Sequence, residues 1–260
     1  MGGREQQGFT LVELITVIMV LGILSIGTVR FITDSTSGLA STISRSELAG
    51  DTLFAVERIS RSLRDALPNS VRVAGSCIEF VPVVAASSYR TLPVAAAASS
   101  FLAVPFDPLP VPAGLRSVVY PGASLYSMSS PGVISGPVSV SAADANNEVT
   151  VTMAAPHQFS LESPSERVFL VDAPISYCVD GGRLWRYQNY GFLPAQPVAV
   201  DLPAGRPDRA LIAESVANPA PFTIAVASLT RNAVVKIEME FVRGTDSVRI
   251  DDLVQVRNVP

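Results

Sequence analysis

Hydrophobic residues follow two patterns along this chain. Residues 9–29, FTLVELITVIMVLGILSIGTV, form an apolar run that carries one charge, Glu13, and ends at Arg30. A helix rises about 1.5 Å per residue, so the run reaches about 30 Å, the thickness of a bilayer's hydrocarbon core. No proline occurs from residue 9 until Pro68, which predicts one long helix over 9–67. In its second half Ala49, Leu53, Val56, Ile59, Leu63 and Leu67 recur at helical spacing, with Glu47, Asp51, Arg58 and Asp65 opposite. That stripe predicts a face packed on a sheet, and Glu57 with Arg61 at i, i+4 adds a surface ion pair. Between the halves, residues 34–46 (DSTSGLASTISRS) are small and polar, so a kink or a locally melted stretch is expected there.

After Pro68 the chain changes to short β-prone runs divided by Pro, Gly, Asn and Asp. Strands are predicted at 71–73, 77–84, 117–120, 148–153, 167–171, 175–179, 183–187, 222–226, 234–242 and 253–256. The clearest hairpin is 177–187, YCVDGGRLWRY, where Asp180, Gly181 and Gly182 tolerate the positive φ of a tight turn. Residues 85–100 and 189–206 read as long loops, the segments in which functional variation would sit. The expected fold class is α+β, a long N-terminal helix packed on an antiparallel β-sheet head.

Composition narrows the chemistry. The formal net charge is −4 and the 19 Lys and Arg residues are scattered, so a nucleic-acid partner has no basic stripe to bind. The single histidine, His157 in AAPHQFS, reads as a surface loop residue, and the two cysteines, Cys77 and Cys178, have no CxxC spacing. The usual zinc, haem and Ser-His constellations therefore lack parts. The expectation is a protein with no catalytic residues, no metal and no cofactor. Asp246, Asp251 and Asp252 could supply carboxylates to calcium, but a solvated turn is the preferred reading. Trp185 reads as a core or sheet-face aromatic rather than a ligand platform.

A secretory signal peptide would place its cleavage site after the apolar run, and no AxA-like site follows it directly. A glycine stands before the run instead. Gly8-Phe9-Thr10-Leu11-Val12-Glu13 resembles the type III signal of type IV pilins and type II secretion pseudopilins. The resemblance implies that a prepilin peptidase cuts between Gly8 and Phe9, that Phe9 is N-methylated, and that the helix is retained for assembly. A carboxylate inside a membrane helix needs a partner. Cleavage creates one in the Phe9 ammonium, so Glu13 of one subunit would meet the new terminus of its neighbour and set assembly register. Snorkelling of Glu13 to the cytoplasmic interface is the plainer alternative.

Arg4 before the run gives a weak positive-inside cue. It predicts a single pass through the inner membrane, with a cytoplasmic N-terminus and a periplasmic head that later reaches the pilus or cell surface. The expected parts are a cleaved leader at 1–8, a transmembrane and filament-core half-helix at 9–29, its amphipathic continuation at 30–67, and a β-rich head at 68–260. Cys77 and Cys178 lie on β-prone runs of a periplasmic domain, so a disulfide is the simplest account. Two free buried thiols are the other reading.

Residues 163–191, SPSERVFLVDAPISYCVDGGRLWRYQNYG, with the terminal VQVRNVP, resemble minor pilins of mannose-sensitive haemagglutinin (MSHA) pili, the MshO-like group. They are similar more loosely to minor pilins and pseudopilins related to PilW and secretion protein J. What this implies is a minor pilin that enters, or primes, a pilus used for surface attachment. Its partners would be the prepilin peptidase, other major and minor pilins, an inner-membrane assembly platform and the membrane. A J-like pseudopilin of type II secretion is the alternative, and a membrane-anchored periplasmic enzyme is a third reading that lacks a nucleophile-base pair.

Overall fold

The computed structural model describes residues 9–122, 124–225 and 232–256. Among these, one α-helix, α1 (Leu11–Arg64), precedes fourteen strands, with short 3-10 turns at Leu125–Ser127 and Ala199–Asp201. They are β1 (Arg72–Ala74), β2 (Cys77–Phe80), β3 (Val83–Ser88), β4 (Ala98–Ala103), β5 (Arg116–Val118), β6 (Ile134–Val140) and β7 (Val149–His157). There follow β8 (Arg167–Val171), β9 (Ile175–Asp180), β10 (Arg183–Tyr187), β11 (Arg209–Ala213), β12 (Phe222–Ala225), β13 (Ala233–Arg243) and β14 (Asp246–Val256). The architecture is the α+β one expected, a long N-terminal helix and antiparallel sheets. The chain divides into two compact units, Met1–Glu47 and Leu48–Pro260, and α1 contributes to both.

The polar stretch 34–46 stays helical rather than locally melted. Its hydroxyls explain why: Thr36 and Thr42 donate to the carbonyls of Ile32 and Gly38, and Ser37 and Ser41 to those of Asp34 and Gly38. Groups that would otherwise compete for the backbone are thus satisfied inside the helix. α1 ends at Arg64 rather than at residue 67. Leu67 precedes a proline, which disfavours helical φ/ψ, and its N–H donates to Val81 O at 2.8 Å while Asp65 O accepts from Val83 N–H at 2.9 Å.

In the second unit α1 buries Leu48, Ala55, Val56, Ile59 and Leu63. Val56, Ile59 and Leu63 of the predicted stripe are buried, with Leu67 just beyond the helix, and the buried face departs from the stripe only at its start, where Leu53 is 59% exposed and Ala49 half-buried. Two polar residues take inward positions instead. Thr52 satisfies its hydroxyl on Leu48 O at 2.6 Å, and Ser60 donates to Asp252 at 2.5 Å. Apolar spacing alone misses such small polar residues where helix and sheet approach closely. The predicted Glu57–Arg61 pair is present at 3.2 Å.

Opposite this face lie two sheets. One is five-stranded, β1-β2-β9-β10-β11, and the other three-stranded, β12-β13-β14, all antiparallel. Ile78, Phe80, Tyr177, Val179 and Leu184 from the first, with Val235, Ile237, Met239 and Phe241 from the second, close the core against α1. Full burial of each such side chain is worth about 1.5–3 kcal/mol. The predicted hairpin joins β9 to β10 through Gly181 and Gly182, at φ +58° and +71°, as a two-residue primed turn requires.

Between β2 and β9 the chain makes an excursion. Phe80 pairs with Ile175, and residues 81–174 supply a separate six-stranded sheet, β3-β8-β5-β6-β7-β4. Its edges meet: Tyr89 bridges Ala103, Arg90 N–H donates to Leu102 O at 2.7 Å, and Val104 N–H to Ser88 O at 2.8 Å. The sheet thereby closes on itself around Tyr89, Phe101, Phe106, Val151, Met153, Phe159 and Leu170. A cluster of Leu67, Val81, Leu125, Ile134 and Phe169 joins this barrel to the segment that follows α1. The expected loop 85–100 is partly strand, because β3 runs to Ser88 and β4 starts at Ala98. Their sequences, VVAASS and ASSFLA, are poor strand formers that the closed sheet recruits by pairing, an instance of tertiary context overriding propensity.

Candidate functional site

Gly8 of the expected cleavage site lies outside the described residues. Phe9 is 69% exposed, and Thr10 stands just before α1. The Thr10 hydroxyl accepts the Glu13 N–H at 3.3 Å. Threonine before a helix with glutamate three residues on is the capping-box spacing, and an acid in the first turn faces the positive end of the helix dipole. Thr10 therefore has a role as helix cap that the sequence reading did not assign, although the T-x-x-E spacing signals it. From Phe9 to Ile43 every residue of this segment is exposed, its Leu, Ile, Val and Met side chains among them. The helix is long and apolar enough to cross a membrane. A fold of the single chain thus leaves an apolar surface uncovered, and an apolar environment, lipid or other helices, has to cover it.

The two cysteines are bonded. Cys77 and Cys178 are cross-strand partners of β2 and β9, with Cα atoms 4.1 Å apart. The bridge lies on the face of the five-stranded sheet away from α1, packed with Tyr187 and Leu202 and flanked by Trp185 and Tyr190. The segment expected as a loop at 189–206 covers this outer face. Beneath it Glu79, fully buried, pairs with Arg72 and accepts a hydrogen bond from Tyr190 at 3.0 Å. Burial pushes the Glu79 carboxyl up, against the lowering effect of Arg72 and of the Tyr190 bond. Arg72 also lies 3.5 Å from the Tyr126 ring centroid and donates to the carbonyls of Leu193 and Pro194. Breaking such a pair leaves an uncompensated buried charge, so the network fastens the covering segment to the sheet.

Further along the same face Arg209 lies over Trp185, its Cζ 3.7 Å from the ring centroid, and 5.4 Å from that of Tyr187. Burial raises the Tyr187 phenol, and the Arg209 charge offsets part of that rise. Trp185 is the sheet-face aromatic expected. His157 is not on a surface loop: it closes β7, is 5% exposed, and meets Phe159 edge-on at 4.7 Å. The Phe159 ring and the Gly132 carbonyl, 3.3 Å from its Nε2, hold it in. Asp251 and Asp252 lie on β14 rather than in a turn, and as neighbours on a strand they point to opposite faces. Asp252 receives the Ser60 hydroxyl and Asp251 the Arg249 Nε–H at 3.1 Å, so they do not converge on one ion.

Residues 3–29 match the prokaryotic N-terminal methylation motif. The N-methylation motif spans Phe9, Thr10, Glu13 and the exposed apolar helix to Val29, and in this segment the chain is type IV pilin-like. The motif implies processing by prepilin peptidase and pilin-type assembly in general, and proteins bearing it are typically structural. The uncovered helix fits membrane anchoring. No curated protein and no solved structure matches the chain.

Proposed function

We propose that this chain is a minor type IV pilin of the MSHA type. A prepilin peptidase cuts it between Gly8 and Phe9, Phe9 is N-methylated, and the subunit enters or primes a pilus used for surface attachment. The observation that carries this reading is the N-methylation motif placed directly on an apolar helix that the fold leaves exposed. Before cleavage the helix sits in the inner membrane, with the N-terminus cytoplasmic and residues 68–260 as a periplasmic head. After extraction by the assembly platform, apolar helices of neighbouring pilins replace the lipid.

Glu13 sets the register of this packing. Its carboxylate in the first turn pairs with the Phe9 ammonium of an adjacent subunit, so that two charges in an apolar core cancel only at one axial stagger. The MSHA assignment rests on the resemblance of the terminal VQVRNVP and of residues 163–191, the stretch that forms β8, β9 and β10 and holds Cys178. A deletion in the native host tests the function. Loss of sheared surface pili with normal release of exoproteins is expected, whereas retained pili with blocked secretion would make the subunit a pseudopilin.

A further inference from the structure

The gap that the 189–206 segment leaves on the outer sheet face has the chemistry of a ligand site. A cleft of about 280 Å³ opens there, lined by Trp185, Ala204, Arg206, Arg209 and Leu211. Two strand registers build its floor: Trp185 pairs with Leu211 and Tyr187 with Arg209 across β10 and β11, so all four side chains share one face. Leu211 is 42% exposed, and Arg206 stands exposed at the rim. The floor thus offers an indole and a leucine beside two guanidinium groups.

Arg209 is incompletely satisfied. Its Nη2 reaches Asp180 only at 3.4 Å, and its Nε is a buried donor with no hydrogen-bond partner, the one side-chain atom of that kind found among the described residues. A buried donor left unmade costs about 1–3 kcal/mol, so the Arg209 side chain is held in place without its full set of partners. A guanidinium presents paired donors that match a carboxylate.

We propose that this cleft binds the carboxylate of an acidic sugar residue, a uronic or sialic acid, within a surface glycan. The carboxylate takes the Arg206 guanidinium and the terminal nitrogens of Arg209, and the C–H face of the pyranose ring rests on Leu211 beside the stacked Arg209 and Trp185. The volume suits one sugar ring, being at the small end of ligand pockets. An acidic peptide added as a strand would use the backbone edge of β11, which leaves the guanidinium array on the sheet face unused. The site gives the surface attachment proposed above its chemistry and in that respect rests on it. Binding itself is independent of processing at Gly8 and is read on the full chain whether cut or uncut.

Trp185 is the chain's single tryptophan, so its fluorescence reports the site directly. The full-length protein in detergent micelles is titrated with galacturonic acid, galactose, acetate, inorganic phosphate and a glutamate-rich peptide. Saturable change with galacturonic acid, at least tenfold tighter than with galactose, acetate or phosphate, is expected. Arg206→Gln, at an exposed position, is expected to weaken it at least tenfold. Its thermal midpoint and the Cys77–Cys178 bridge report that the variant is folded. Arg209→Gln should abolish binding. Equal response to phosphate or acetate overturns the saccharide, tighter binding of the peptide replaces it, and no saturable response to galacturonic acid removes the site. An intact mass of the same chain recovered from its host separates these outcomes from failure of the pilin reading.

Discussion

Cys77 and Cys178 face each other across β2 and β9, and further along the same two strands Phe80 faces Ile175, where the chain departs for the barrel. The bridge therefore clamps the stem from which the excursion arises, with a sequence separation of 101 residues. In the entropic account a closed loop of about 100 residues is worth about 4.7 kcal/mol, and measured values for native bridges are about 2–5 kcal/mol. Replacing both cysteines with serine should lower the urea unfolding free energy by about 2–5 kcal/mol. Because the stem strands keep their hydrogen bonds, secondary structure should persist in native buffer. A change below about 1 kcal/mol would mean that the barrel holds its own ends together when the rest unfolds.

The start of the helix stripe makes a paired prediction. Leu63 and Leu53 both belong to the predicted stripe, yet Leu63 is fully buried between α1 and the sheets while Leu53 is 59% exposed. Leu63→Ala should destabilise the head by about 2–5 kcal/mol, the range for buried leucine truncations. Leu53→Ala should change the same denaturation curve by about 0.5 kcal/mol or less. Similar losses from both would place the core face where the apolar spacing first puts it.

His157 gives the barrel a pH dependence of known sign. Burial lowers its pKa below the ordinary 6.5, against the raising effect of the Gly132 carbonyl, to which Nε2 donates at 3.3 Å. A base with a lowered folded pKa binds fewer protons folded than unfolded. Its stabilising contribution is therefore complete above 6.5 and declines as pH falls through that value toward the folded one. The chain has one histidine, and the raised Glu79 carboxyl acts in the opposite sense as pH falls, so the comparison with a His157 variant carries the assignment. Unfolding midpoints should fall between pH 7.5 and pH 5, and His157→Gln should show a smaller fall; an identical fall in the variant would exclude this origin.

Much of the frame was legible from periodicity and punctuation. The uninterrupted run to Pro68 gives α1, and Asp180-Gly181-Gly182 gives the β9–β10 turn. Strands rich in Val, Phe and Tyr, such as β8, β9 and β13, declare themselves. What stays hidden is non-local. The Ala- and Ser-rich β3 and β4 exist because the barrel closes at Tyr89 and Ala103. Arg209-Ala-Leu-Ile-Ala213 has no strand signature, and the edge of a sheet supplies one. Of the functional residues, Phe9 and Glu13 are marked by the local motif. Arg209 is not, because its relation to Trp185 arises from the β10–β11 register.

Glu13→Val should leave cleavage intact and reduce the subunit in sheared filaments, since removal of the carboxylate leaves the neighbour's ammonium unpaired in an apolar core. Immunoblots of cell and sheared fractions, normalised to processed protein, measure this. Recovery equal to wild type would leave Glu13 with its helix-terminal role alone.

Processing at Gly8 carries the whole account, and the most direct test is the intact mass and N-terminal peptide of the protein recovered from its native host. The prediction is a chain that begins at N-methylated Phe9 and lacks residues 1–8, while a variant with a bulky residue at Gly8 retains them. A mature wild-type chain that keeps residues 1–8, or one cut after the apolar run, would contradict it.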